Sequence, residues 1–176
     1  MLVAALLGSC GAPRPFGEGV SLHTMLSGGY RALNHDVYDG GGAYGLELVT
    51  REESGWGYEL GGTYSAEDTS GPNQPSAEFN ELGLGLRRSW EGQAGGARSY
   101  VGFGGAFTRV ENNLHQPATE FEDDGGAAYV HGGVLWNLGR YEFDHGTEFL
   151  LGFDLRGLVG DDYDYLQLSL VLGFGR

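Results

Sequence analysis

Few residues in this chain have the type and spacing that chemistry needs. Ser21 and His23 stand two apart, and a nucleophile with a base would need an acid beside them. No motif surrounds the pair, so both read as polar residues of a strand. Two acidic runs, Glu122-Asp123-Asp124 and Asp161-Asp162-Asp164, offer the oxygen ligands that hard cations prefer. Neither has calcium-loop spacing, so solvated loop charges are expected and no metal site is assigned. His35, His115 and His145 are scattered. The chain has no G-x-S-x-G elbow, H-E-x-x-H helix, Walker loop or C-x-x-C pair. Gly102-Phe103-Gly104-Gly105 lies within a strand pattern and is not a phosphate-cradling loop. No cofactor is implied and no catalysis is expected.

A second group of ionisable residues is placed by pattern rather than by motif. Leu82, Leu84 and Leu86 alternate with Gly83, Gly85 and Arg87; Leu166, Leu168, Leu170, Leu172 and Phe174 alternate with Gln167, Ser169, Val171 and Gly173. A period of two means strands with two unlike faces. The pattern predicts eight strands, at about 20–32, 42–50, 56–65, 79–90, 98–110, 127–138, 146–159 and 163–175. Their connections run longer, short, longer, short, longest, short, with a brief final turn. That rhythm fits an up-and-down meander through a bilayer, with long outward loops and short inward turns. The fold class expected is all-β: a single antiparallel up-and-down barrel of about eight strands, of transmembrane type.

Which face points outward follows from the glycines, 34 of the 176 residues. Glycine weakens a strand, so something must reward small side chains there. Gly57, Gly61, Gly83, Gly85, Gly102, Gly104, Gly152 and Gly173 fall on the face opposite the bulky apolar residues. A soluble surface gains nothing from bare glycine, whereas an eight-stranded barrel has an interior barely wide enough for side chains. Glu47, Glu59, Arg87, Glu148, Asp154 and Arg156 share this inner face, with Glu81 and His131. Charges enclosed there must be paired or hydrated. A lumen network is therefore expected, in which Arg87 and Arg156 meet Glu47, Glu59, Glu148 or Asp154. Arg88 has the parity of the lipid-facing leucines and is expected to snorkel to the interface near Trp90.

The aromatic residues add a second marker. Trp56 follows the first short turn, Trp90 precedes the second and Trp136 precedes the third. All three share the apolar face and would lie at one end of the barrel. With Phe174 they form the girdle expected at a membrane interface. Tyr44, Tyr64 and Phe107 lie near the other ends, while Tyr165 has the parity of the inner face.

The formal net charge of -14 argues against a nucleic-acid partner. No apolar run approaches the roughly 18 residues of a membrane-spanning helix. A single cysteine allows no internal disulfide. Residues 1–19 read as a signal segment and linker: a short apolar run, then Leu7-Gly8-Ser9-Cys10, which resembles a bacterial lipobox, with Cys10 the lipidation candidate. The positive charge that usually opens such a signal is missing. Residues 20–176 form the barrel.

Alternation, loop rhythm and a last strand ending Leu170-Val171-Leu172-Gly173-Phe174 resemble the small outer-membrane β-barrel superfamily of OmpA/OmpX-like eight-stranded barrels. Gly175 and Arg176 follow where the family usually ends on the aromatic itself. The resemblance implies a location in the bacterial outer membrane and a structural or surface-interaction role. It implies outer-membrane lipids and the barrel-insertion machinery as partners, a monomer, and no nucleic acid. Two alternatives stand beside it. One is a soluble or lipid-anchored lipocalin-like barrel that binds a small apolar ligand. The other is a lipid A-modifying barrel enzyme, for which Ser21 and His23 are the candidates.

Overall fold

The computed structural model describes residues 19–34, 40–68, 76–92, 96–113, 121–141, 147–161 and 163–175. Cys10 and the lipobox-like segment lie outside these residues, as do His35, His115, His145 and Asp162.

Eight strands follow in chain order: β1 (Val20–Asn34), β2 (Gly40–Glu52), β3 (Trp56–Asp68), β4 (Ser76–Glu91), β5 (Ala97–Asn113), β6 (Phe121–Tyr141), β7 (Thr147–Gly160) and β8 (Asp164–Gly175). Each pairs antiparallel with its sequence neighbour, and β1 pairs with β8 to close the barrel. Closure leaves no edge strand with unmet backbone groups, which hydrocarbon would not tolerate. The β2–β3 turn is tight: Gly55 sits at φ +84°, and its N–H donates to the Glu52 carbonyl at 2.9 Å. That conformation favours glycine.

The apolar face is outside. Leu84, Phe103 and Leu168 are 63, 49 and 58% exposed, whereas Gly83 and Arg87 are buried. Trp56, Trp90 and Trp136 are exposed at the short-turn end, with Phe174 half-buried beside exposed Phe149. Tyr44, Tyr64 and Phe107 are exposed towards the opposite end.

One expectation needs correction. Glu122, Asp123 and Asp124 belong to β6, not to a loop, because the β5–β6 ladder continues through Glu111↔Glu122 and Val110↔Asp123. Hydropathy alternation ends where lipid ends, but backbone pairing needs no apolar side chains to continue into water. Arg88 lies over the girdle residue Trp56, 5.1 Å from its ring centroid. Trp56 is opposite Arg88 across the β3–β4 ladder, which places the guanidinium on that ring.

The interior has three layers. Towards the long loops lies an apolar cluster that includes Phe79, Leu158, Tyr163 and Tyr165. Towards the short turns lies another, with Met25, Val49, Leu135, Leu150 and Val171. The charged residues form a belt between them.

Candidate lumen charge network

The belt is built by register. Arg31 pairs with Gln167, Gln167 with Arg156, Arg156 with His131, His131 with Gly102 and Gly102 with Arg87. This line of inward residues carries most of the lumen's basic groups. Because strands in a barrel tilt, such a line winds around the axis as a spiral. Two residues outward along each strand runs a second line with Glu59, Tyr129 and Tyr165; two residues inward runs a third with Tyr100, Asp154 and Ser169. Bases are thus sandwiched between acids and phenols.

Arg87 is the hub. Its Nε donates to Glu59 Oε2 at 2.9 Å, its Nη2 donates to Glu47, and its guanidinium stacks 4.2 Å over the Tyr100 ring. His131 spans two carboxylates. Its Nδ1 is 3.0 Å from Asp154 Oδ2, and its Nε2 is 2.9 Å from Glu59 Oε1. Both ring nitrogens therefore act as donors when both acids are ionised. Tyr100 donates to Asp154 at 2.7 Å and Tyr129 to Glu59 at 2.9 Å.

Arg31 makes a second centre. Wholly enclosed, it reaches from β1 to β4, where Nη1 meets Glu81 Oε1 at 2.8 Å. It also donates to Gln167 Oε1 at 3.1 Å and Thr63 Oγ1 at 3.0 Å, and stacks 4.0 Å over Tyr165. Tyr165 in turn donates to Glu81 at 2.8 Å. At the short-turn end, Glu148 lies 3.4 Å from Arg98 and 3.7 Å from His23.

The expected set is therefore brought together only in part. Glu47, Glu59 and Arg87 meet directly, and Asp154 joins them through His131. Glu148 belongs to a separate group near the short turns. Arg156 does not meet a carboxylate as expected: it stacks 4.0 Å over Tyr129, and its Nε finds no acceptor among the described residues. The reason is geometric, since Glu59 is already held by Arg87, His131 and Tyr129. Arg31, Gln167, Tyr100 and Tyr129 are the residues that sequence reasoning missed. Their signal was parity: counting by twos from Arg87 or Gln167 along each paired strand would have found them.

The glycines make this room. A β-carbon on Gly102 would collide with His131 Nε2 and lie 2.8 Å from Glu59 Oε2. One on Gly85 would collide with the Tyr129 hydroxyl and lie 2.6 Å from the Phe103 carbonyl oxygen. A cavity of about 30 Å³ lies beside Ser27, Thr63, Arg87, Arg156 and Gln167. It has room for about one or two waters. Glu47, Glu59 and His131 place ligand atoms within 4.8 Å of one another, as a metal would need. The Arg87 guanidinium already occupies both carboxylates, so the trio does not fit a metal. Ser21 donates to the Arg51 carbonyl oxygen at 3.3 Å, and His23 faces the lumen.

No protein-family model and no curated protein matches the sequence. Solved structures match the fold. Neisserial surface protein A (NspA) aligns with a TM-score of 0.61 at 10% identity, over 89% of this chain and 96% of that one. Ail, the attachment invasion locus protein of Yersinia pestis, aligns at 0.60 and 12%, over 91% and 100%. The N-terminal β-barrel domain of Pseudomonas aeruginosa OprF aligns at 0.54 and 15%, over 88% and 97%. The chain has the fold of eight-stranded outer-membrane barrels.

Proposed function

We propose that this chain is a small outer-membrane barrel with a closed lumen, serving a structural or surface-interaction role through its long loops rather than catalysis. The orientation of the wall carries the reading. Leu82, Leu84, Val130, Leu166 and Leu168, each more than half exposed, would be unsustainable in water as one continuous apolar band. A lipocalin-like protein needs the reverse arrangement, with an apolar interior to receive its ligand. The ionic belt fills that space here. Ser21 lies at the short-turn end with its hydroxyl donating to the Arg51 carbonyl oxygen rather than to His23, which favours a non-catalytic role.

Ail has been solved with sucrose octasulfate, a heparin analogue. A polyanion does not suit this chain. Among the described residues, Asp124, Asp161 and Asp164 lie towards its long-loop end, within a net charge of -14. A cationic surface partner fits that field better.

The test is fractionation of the full chain expressed with its N-terminal segment. It is expected in the outer-membrane fraction, with a heat-modifiable shift on detergent gels. In planar bilayers the purified barrel is expected to show no sustained conductance. Recovery as a monodisperse soluble protein without detergent refutes the membrane reading, and steady ion currents refute the closed lumen.

A further inference from the structure

Arg156 on β7 is only 7% exposed, yet among the described residues its guanidinium has an aromatic partner and no acceptor. It stacks 4.0 Å over Tyr129, and its buried Nε meets no oxygen. The face of a phenol ring attracts the charge but satisfies no N–H. Buried donors of this kind are rarely left without a partner.

The guanidinium borders the lumen cavity of about 30 Å³, and so does Glu47 on β2. Glu47 Oε2 accepts from Arg87, and no described group donates to its Oε1. A cation short of acceptors and a carboxylate with an oxygen to spare thus share one small chamber. Small residues keep it open. A β-carbon on Gly45 would lie 2.5 Å from Ser27 Oγ, and one on Gly61 would lie 3.1 Å from Glu47 Cβ. On the far side, a β-carbon on Gly83 would press to 3.3 Å from Arg156 Nη2.

The charges of the wall select what enters. Arg87 and Arg156 would repel a cation, and Glu47 and Asp154 would repel an anion. An apolar guest would leave the same groups desolvated and unpaired. A small neutral molecule that both donates and accepts meets none of these penalties, and the volume suits about two waters.

We infer that a pair of waters occupies this chamber as a bridge, accepting from Arg156 and donating to Glu47 Oε1. The hydroxyls of Ser27 and Thr63, which also line it, can take up the water hydrogens left over. The bridge joins β7 to β2, which are not neighbours in the sheet, as a hydrated ion pair across the lumen. The inference rests on the closed lumen, because an open one would exchange its water with bulk.

The experiment has two arms, both on the full chain refolded in detergent. The first is a crystal structure grown in sodium bromide. Solvent peaks without anomalous signal are expected in the chamber, within hydrogen-bonding reach of Arg156 Nε and Glu47. A bromide peak there overturns water in favour of an anion. A dry chamber, or a guanidinium bonded straight to a carboxylate, overturns the bridge. The second arm is a double-mutant cycle of Arg156→Met and Glu47→Gln, read as unfolding constants in urea. The double variant is expected to unfold about fivefold less than the two single effects multiplied together. Additive effects overturn the pairing. Ser27→Val puts a methyl group into the chamber and is expected to bring the cycle to additivity. A coupling that persists in that background shows the charges acting through space and overturns the water. If Ser27→Val does not fold, the bromide map and the cycle in the wild-type background still decide. Planar-bilayer conductance is read on the same preparation, so failure of the closed lumen shows separately, as a steady current.

Discussion

At the scale of single residues, the energetics separate enclosed charges from rim charges. Arg87 contacts Glu59 with both side chains nearly inaccessible, and its removal strands the Glu59 and Glu47 carboxylates in the lumen. Arg87→Met is expected to destabilise the barrel by about 3–5 kcal/mol, as breaking a buried pair does. The urea midpoint of unfolding from lipid vesicles measures it. Arg51 and Glu91 pair at 2.9 Å on the rim, where the hydrogen bond and charge of Arg51 hold the Glu91 carboxyl below its ordinary range. Glu91 is two-thirds exposed, so Glu91→Gln is expected to change stability by less than about 1 kcal/mol in the same assay. Gly102→Ala inserts a methyl group where His131 and Glu59 already stand, and is expected to lose about 1–3 kcal/mol by overpacking. Gly157→Ala, facing open space, is expected to be neutral or stabilising. Equal losses at the two glycines would refute the steric account. The faces of Arg87, Glu59 and Asp154 were legible from parity alone. Their partners were not, because cross-lumen contacts such as Arg31 to Glu81 join strands that are not neighbours in the sheet.

At the scale of elements, each strand is a two-faced ribbon whose outer face is read by lipid. Leu84→Arg on β4 is expected to destabilise the barrel by about 2–4 kcal/mol if Leu84 lies near the bilayer midplane, and an arginine at the girdle position Trp90 by about 0–1 kcal/mol from its charge. Refolding into vesicles, followed by denaturant titration, compares the two. The three tryptophans report depth independently. Lipids brominated near the headgroup are expected to quench their fluorescence more strongly than lipids brominated near the methyl end. The reverse order would remove the girdle. Strand positions were legible because alternation is local and repeated along every strand. Strand ends were less so: β5 and β6 run on to Asn113 and back from Phe121, held by backbone pairing after the hydropathy signal has stopped.

At the scale of the whole molecule, two apolar clusters flank an ionic belt, and among the described residues the large exposed apolar side chains face outward. On the proposed reading, recognition would fall to the long-loop end. Binding of a lysine-rich peptide to the vesicle-embedded chain is expected to weaken steeply as salt rises from about 0.05 to 0.5 M, since the Debye length shortens below the spacing of surface charges. A sulfated oligosaccharide is expected not to bind. Surface plasmon resonance on captured vesicles measures both, and the opposite ranking would refute the charge argument.

The amino-acid order alone determined the strands, their sequence in the meander and which face meets lipid, because each depends on residues one or two positions apart. Only the closed barrel decided which charges touch. Arg31, between Tyr30 and Ala32 in the sequence, becomes a centre of the lumen when β1 meets β8. Arg156 is left on a tyrosine face because Glu59 is already held by Arg87, His131 and Tyr129. Shear and diameter set those encounters, and they are properties of the ring of strands rather than of any one of them.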